Sequence, residues 1–127
     1  MNYIRFQIHE KDPWSTKSLG IFHAIADLRD GGTMLDYHQT HADDLRKWFN
    51  DHLEAPGRFS RKKDQRKTRW ISRWKETATE YIEKMEEIIY LLGEYDIVVE
   101  KITSDNPGYI VYEDDYQIVA EPFKDSL

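Results

Sequence analysis

Half of the positive charge in this 127-residue chain lies between Arg58 and Lys75. Arg58, Arg61, Lys62, Lys63, Arg66, Lys67, Arg69, Arg73 and Lys75 stand there against one acid, Asp64. The segment carries +8, while the rest of the chain carries −14. Clustered Lys and Arg are the chemistry of phosphate binding. Phe59, Trp70 and Trp74 interleave with them, where aromatic rings could stack on bases. Helix stability does not account for these cations. Lys62/Arg66, Lys63/Lys67 and Arg69/Arg73 would be like-charged pairs four apart, each costing about 0.2–0.5 kcal/mol in a helix. Cations at a helix N-terminus also oppose its dipole. Arg58, Arg61, Lys62, Lys63, Arg66, Lys67, Arg69 and Arg73 are therefore the candidate polyanion site. Two plainer accounts compete with it. One is pairing with the acids at Asp36, Asp43, Asp44, Asp51 and Glu54 and at Glu76, Glu80, Glu83, Glu86 and Glu87, in the same chain or a second copy. The other is a solvated loop.

A second candidate lies near the start. Ile4, Phe6 and Ile8 alternate with Tyr3, Arg5, Gln7 and His9. Period-two alternation predicts a strand with one buried face. The other face is then a polar row suited to an anion or a partner. Tyr109 or Tyr112, and Gln117, on strands predicted later, are expected beside it; with Tyr112 taken, Tyr3, Arg5, Gln7, His9, Tyr112 and Gln117 form the candidate ligand or partner face.

The remaining motifs carry less chemistry. His38, His41 and Asp44 are spaced to share one helical face, as metal ligands can. No HExxH or second ligand cluster accompanies them, and His38 falls on an apolar stripe, the place of a hydrogen-bonded core histidine. No metal and no cofactor are expected. Glu113-Asp114-Asp115 suits a turn, where Asp bonds the backbone and acids guard a sheet edge. The chain has no Cys, which removes disulfides, thiolate metal sites and cysteine nucleophiles. Its six glycines form neither GxGxxG nor a P-loop, and no Ser sits in GxSxG. No catalytic residue is assigned; the absence of a catalytic motif leans against an enzyme and leaves the question open.

The elements that must position these residues follow from periodicity. The first strand covers Tyr3 to His9, and a turn at Lys11–Ser15 contains Pro13. A helix capped by Ser15 or Thr16 should carry Ile21, Ile25 and Leu28 and stop at Gly31-Gly32. Thr33, with Asp36 three residues on, predicts a capping box for a second helix. Its stripe is Leu35, His38, Ala42, Leu45, Phe49 and Leu53, and Pro56-Gly57 should end it. A third helix is predicted from about Arg69, with the stripe Trp70, Trp74, Ala78, Tyr81, Met85, Ile88 and Leu92, closed by Gly93. Three strands should follow, at Ile97–Ile102, Tyr109–Glu113 and Tyr116–Ala120. The predicted order is β-α-α-α-β-β-β. The fold class is α+β: a four-stranded, mostly antiparallel sheet with three helices on one face, in one domain over residues 1–127.

Several short stretches carry a resemblance. They are Tyr3-Ile4-Arg5-Phe6-Gln7, Trp48-Phe49-Asn50, Trp74-Lys75, Pro107 to Asp114 and Gln117 to Pro122. Together they resemble a group of small bacterial hypothetical proteins that has no assigned activity. The resemblance implies a bacterial or phage origin and brings over no catalytic residue. The basic stretch that precedes Trp74 is not part of the shared pattern.

No apolar run approaches the roughly 18–20 residues of a membrane helix, and Met1–Phe6 lacks a signal-peptide pattern. A soluble, cytoplasmic protein with no membrane partner is expected. Three functions stay open. The first is an interaction module, regulatory or immunity-like, that binds an unknown protein partner, with a homodimer as one form. The second is a nucleic-acid binder using residues 58–75. The third is a small-ligand binder or enzyme on the polar face around Arg5.

Overall fold

The computed structural model describes residues 1–11, 18–53 and 70–123. The class is α+β, and the element order differs from expectation. It runs β1 (Tyr3–Lys11), β2 (Ser18–Gly20), α1 (Ile21–Asp30), α2 (Asp36–His52), β3 (Ile71–Lys75), α3 (Thr79–Gly93), β4 (Val99–Ser104), β5 (Tyr109–Glu113) and β6 (Gln117–Glu121). Among the described residues six strands form where four were expected. The packing divides into two compact units. The first holds Met1–Arg5, Ala55–Tyr81 and Ile102–Leu127; the second holds Phe6–Glu54 and Ile82–Lys101.

In the first unit the strand order is β1-β3-β6-β5, with antiparallel pairing throughout. β3 corrects the expectation of a helix from Arg69. Trp70, Trp74 and Ala78 are spaced by four, and four is a multiple of two as well as close to a helical turn. Trp and Ile favour a pleated, half-buried surface. The strand alternative wins because β1 and β6 flank this segment: Ile4 pairs with Trp74, and Trp74 pairs with Gln117. The helix starts only at Thr79, and the expected stripe holds from there. Ala78, Tyr81, Met85, Ile88 and Leu92 are all buried.

Trp70 packs with Val111 and Val119 in a small apolar cluster, with Tyr112 against it. Trp74 stacks on Tyr81 at 5.5 Å, and Tyr81 meets Tyr116 at 4.4 Å. These two tryptophans thus serve the core.

In the second unit β1 pairs antiparallel with β2, and β1 also pairs with β4. Strand β2 replaces the expected start of the first helix, which begins at Ile21. The Ser15 and Thr16 caps and the Pro13 turn lie outside the described residues. Ile21, Ala24 and Ile25 are buried, and α1 ends before Gly31 and Gly32. The Thr33 capping box does not form. The N-cap of α2 is Leu35, with no side-chain cap. His38, Ala42, Leu45 and Phe49 are buried along one stripe of α2, while Leu35 is exposed.

Two turn features in the first unit hold β5 against β6. Gly108 has φ +110°, a conformation that side chains rarely adopt. A Cβ there would collide with the Glu121 carbonyl oxygen and lie 2.6 Å from Pro122 Cα. Asp114 sits at the hairpin tip. Its Oδ1 accepts from the Tyr116 and Gln117 backbone N–H groups, both at 2.8 Å. Its Oδ2 accepts from the Tyr112 hydroxyl at 2.9 Å and from the Gln117 amide at 3.1 Å. Burial pushes this carboxyl up, but these hydrogen bonds outweigh it and hold Asp114 below the usual carboxylate range.

Two outcomes follow for urea unfolding. Gly108→Ala should lower stability by at least about 2 kcal/mol, through backbone strain and collision, with the m-value unchanged. Asp114→Asn should cost about 1–2 kcal/mol at pH 7. A carboxyl with a depressed folded pKa contributes stability above its unfolded value, near 3.9, and loses it as pH falls through the folded value. The Asn variant should therefore approach the parent's stability at pH 2–3. An equal deficit at both pH values would show that the charge is not the source.

Candidate functional site

The second unit presents a surface where α2 and α3 run side by side in opposite directions. Two contacts and one longer-range electrostatic interaction mark the seam. His41 Nε2 lies 3.2 Å from Glu87 Oε1. Lys84 Nζ sits 5.6 Å from the centre of the Trp48 ring. Tyr37 and Tyr90 are close enough for their phenols to interact electrostatically. The seam positions on α2 are 37, 41 and 48, and on α3 they are 84, 87 and 90. Each set lies on one helical face.

One end of the seam is held by Tyr95. Its hydroxyl accepts from the Leu35 backbone N–H at 2.8 Å and lies 2.6 Å from His38 Nδ1. It satisfies one of the N–H groups that a helix start leaves without a partner. That is why α2 can begin without a side-chain cap. His38 is buried and bonded in this way; it is not a surface ligand. The His38 and Tyr37 rings also touch, 4.2 Å apart.

Just beyond this anchor the surface turns aromatic and acidic. Tyr37 is 68% exposed and Tyr90 is 66% exposed, with Leu35 exposed beside Tyr37 in sequence. The Glu94 carboxylate next to Tyr90, which also accepts its hydroxyl, pushes that phenol up, and Tyr37 adds to the effect. Asp36, Asp44, Glu83, Glu86 and Asp96 are exposed in the same unit. Among the described residues none of these five makes an ion pair, whereas Asp43, Asp51 and Glu87 do, with Arg29, Lys47 and Lys84. The result is two open phenol rings, one next to Asp36 in sequence and the other bonded by Glu94, with neither carboxylate in an ion pair among the described residues. Such a surface can take an Arg or Lys side chain by charge and by cation–π contact together.

The other candidate residues are separated by the structure. Strand β1 sets Tyr3, Arg5 and Gln7 on one face, all half-buried. In the first unit Tyr3 pairs with Lys75 and Ile4 with Trp74. Cross-strand partners share a face. The same register carries Arg5 opposite Arg73. Gln117, paired with Trp74, lies on the face of Ile4 instead. Tyr112, paired with Val119, goes with Gln117, and both bond Asp114. The expected grouping of Tyr112 and Gln117 with Arg5 therefore does not form. The side chain of His9 lies outside the described residues.

Arg58, Arg61, Lys62, Lys63, Arg66, Lys67 and Arg69 also lie outside them. Arg73 is buried within β3 and does not sit with an open cationic surface. Burial pulls its guanidinium below the usual value. Burial, then the charge of Arg73, does the same to Arg5. Among the described residues no group of His, Asp and Glu is arranged to hold a metal ion. No helix among them is long and apolar enough to cross a membrane.

Comparison with protein-family models, with curated proteins and with solved structures finds no match.

Sequence reasoning missed Tyr37, Tyr90 and Tyr95. The signal was present for the first two. Each is a large aromatic set off the buried stripe of its helix, where a polar residue is the usual choice. Nothing local marked Tyr95, whose partners are about sixty residues away. Tyr95→Phe should remove both hydrogen bonds and cost about 1–3 kcal/mol in chemical denaturation. Hydrogen exchange at Asp36–Gln39 should rise with it. Unchanged exchange there would show that α2 does not depend on the anchor.

Proposed function

We propose that this protein is a binding module that takes a basic segment of a macromolecular partner on its α2–α3 surface. The observation that carries this is the pair of two-thirds-exposed tyrosines, Tyr37 and Tyr90, with the Glu94 carboxylate against the second. Tyr is favoured at binding hot spots because it offers a large contact area at low entropic cost. Glu86, Glu94 and Asp36 supply the charge that steers a cationic partner and sets its salt dependence. The surface repels nucleic acid, so a protein or peptide is the partner it suits. A regulatory or immunity-like role fits such a module, as does a second copy presenting its own cations.

An octa-arginine peptide serves as the probe, with binding read by fluorescence anisotropy. The full chain should bind it and lose affinity as salt rises from about 50 to 200 mM, with the Debye length shrinking accordingly. The double variant Tyr37→Ala/Tyr90→Ala should bind at least about tenfold more weakly, an effect of roughly 1.4 kcal/mol. Tyr37→Phe/Tyr90→Phe should retain most of the affinity, because the rings remain. Equal binding by the Ala and parent forms would overturn the role of this surface.

A further inference from the structure

The α2–α3 surface is acidic along its length as well as aromatic. On α3, Glu83, Glu86, Tyr90 and Glu94 follow one another at steps of three and four, so they share one side of the helix. On α2, Asp44 lies about two turns beyond Tyr37 on the same side. All six side chains are exposed. Among the described residues none of the four carboxylates makes an ion pair. A row of like charges does nothing for helix stability.

The same chain carries the opposite charge in one block. Two cations of the basic segment have local uses: Arg73 is buried within β3, and Lys75 is held by Glu113 at 2.6 Å. The other seven fall between Arg58 and Arg69, against the single acid Asp64. That stretch carries +6 and the rest of the chain −12. Four of the seven are Arg, whose flat guanidinium stacks on a phenol ring while bonding a carboxylate beside it. Tyr90, with Glu94 bonded to it, offers both partners at once. One chain thus holds an acidic, aromatic surface and the cationic stretch that complements it.

We infer that the partner of the α2–α3 surface is a second copy of this chain, which enters with its Arg58–Arg69 stretch. This rests on the binding reading above and gives that partner an identity. Two copies related by a two-fold axis make the contact twice, and the assembly closes as a dimer. Local attraction opposes the mutual repulsion of two chains that each carry −6.

Sedimentation velocity on the full chain tests this. At about 50 mM salt the chain should form dimers with a Kd below about 100 μM, and the affinity should fall about tenfold or more by about 200 mM. Two charge-reversed variants then identify the contact. One carries Glu83→Lys, Glu86→Lys and Glu94→Lys on the surface. The other carries Lys62→Glu, Lys63→Glu, Arg66→Glu and Lys67→Glu in the stretch. Each alone should sediment as a monomer, because like charges then meet. Mixed, they should pair one to one, because each surface again faces a stretch of opposite charge. Damage to folding in either variant would not be repaired by mixing.

A parent chain that stays monomeric at about 50 mM salt overturns the inference, and the octa-arginine probe then separates the causes. If the peptide still binds, the surface serves another partner. If it does not, the binding reading falls as well. A peptide affinity that rises in the stretch variant of a monomeric parent shows the stretch covering its own chain's surface, which also overturns the second copy. A dimer that survives in either variant alone, or variants that fail to pair when mixed, place the contact elsewhere.

Discussion

The extended conformation of Ile71–Lys75 is the constraint on which the first unit depends. β3 lies between β1 and β6, so its alternation decides what each face of that sheet receives. Trp74 goes to the side of Ile4, Gln117 and the Tyr81 stack. Arg73 goes to the side of Arg5 and Ile118. Had the segment been helical, Trp70 and Trp74 would have shared a stripe and the two arginines would have had no reason to meet. One choice of backbone thus creates both the aromatic core and the cationic pair.

Much of this fold was legible where a single period ruled. Tyr3–His9 alternates without ambiguity, and β1 follows. Tyr109–Glu113 and the Asp114 turn were readable because turn chemistry and strand residues agree there. The stripe from Ala78 to Leu92 identified α3. The failures have specific causes. Trp70, Trp74 and Ala78 satisfy both periods, so only the pairing of β3 with distant strands decides. Thr33 had the right spacing for a cap, but a tyrosine hydroxyl from elsewhere in the chain took the task at Leu35. Three residues suffice for β2, too few to show a period.

The candidate sites were legible to different degrees. The polar side of β1 was visible in the sequence, but its companions were not. Gln117 and Tyr112 look like neighbours of Arg5 until the register is known, and a shift of one residue moves a side chain to the opposite face. Arg73 drew attention as part of a charge run, yet it differs from the rest of that run in being buried. Tyr37 and Tyr90 escaped notice because charge was so conspicuous elsewhere. In both places the informative residue is one that breaks a local rule: a cation inside, and aromatic rings outside.

The pairings in the first unit also bear on when it can fold. Ile4 waits for Trp74, seventy positions later, and Trp74 waits for Gln117. Closing such wide loops is slow, because chain entropy is lost before any contact rewards it. During synthesis the N-terminal strand emerges first and stays without β3 for more than half of the chain's length. β3 in turn is without β6 until nearly all of the described chain has been made. Assembly of this unit is therefore a late event, set by the arrival of its C-terminal hairpin, and the Asp114 turn that closes that hairpin is well placed to control its pace.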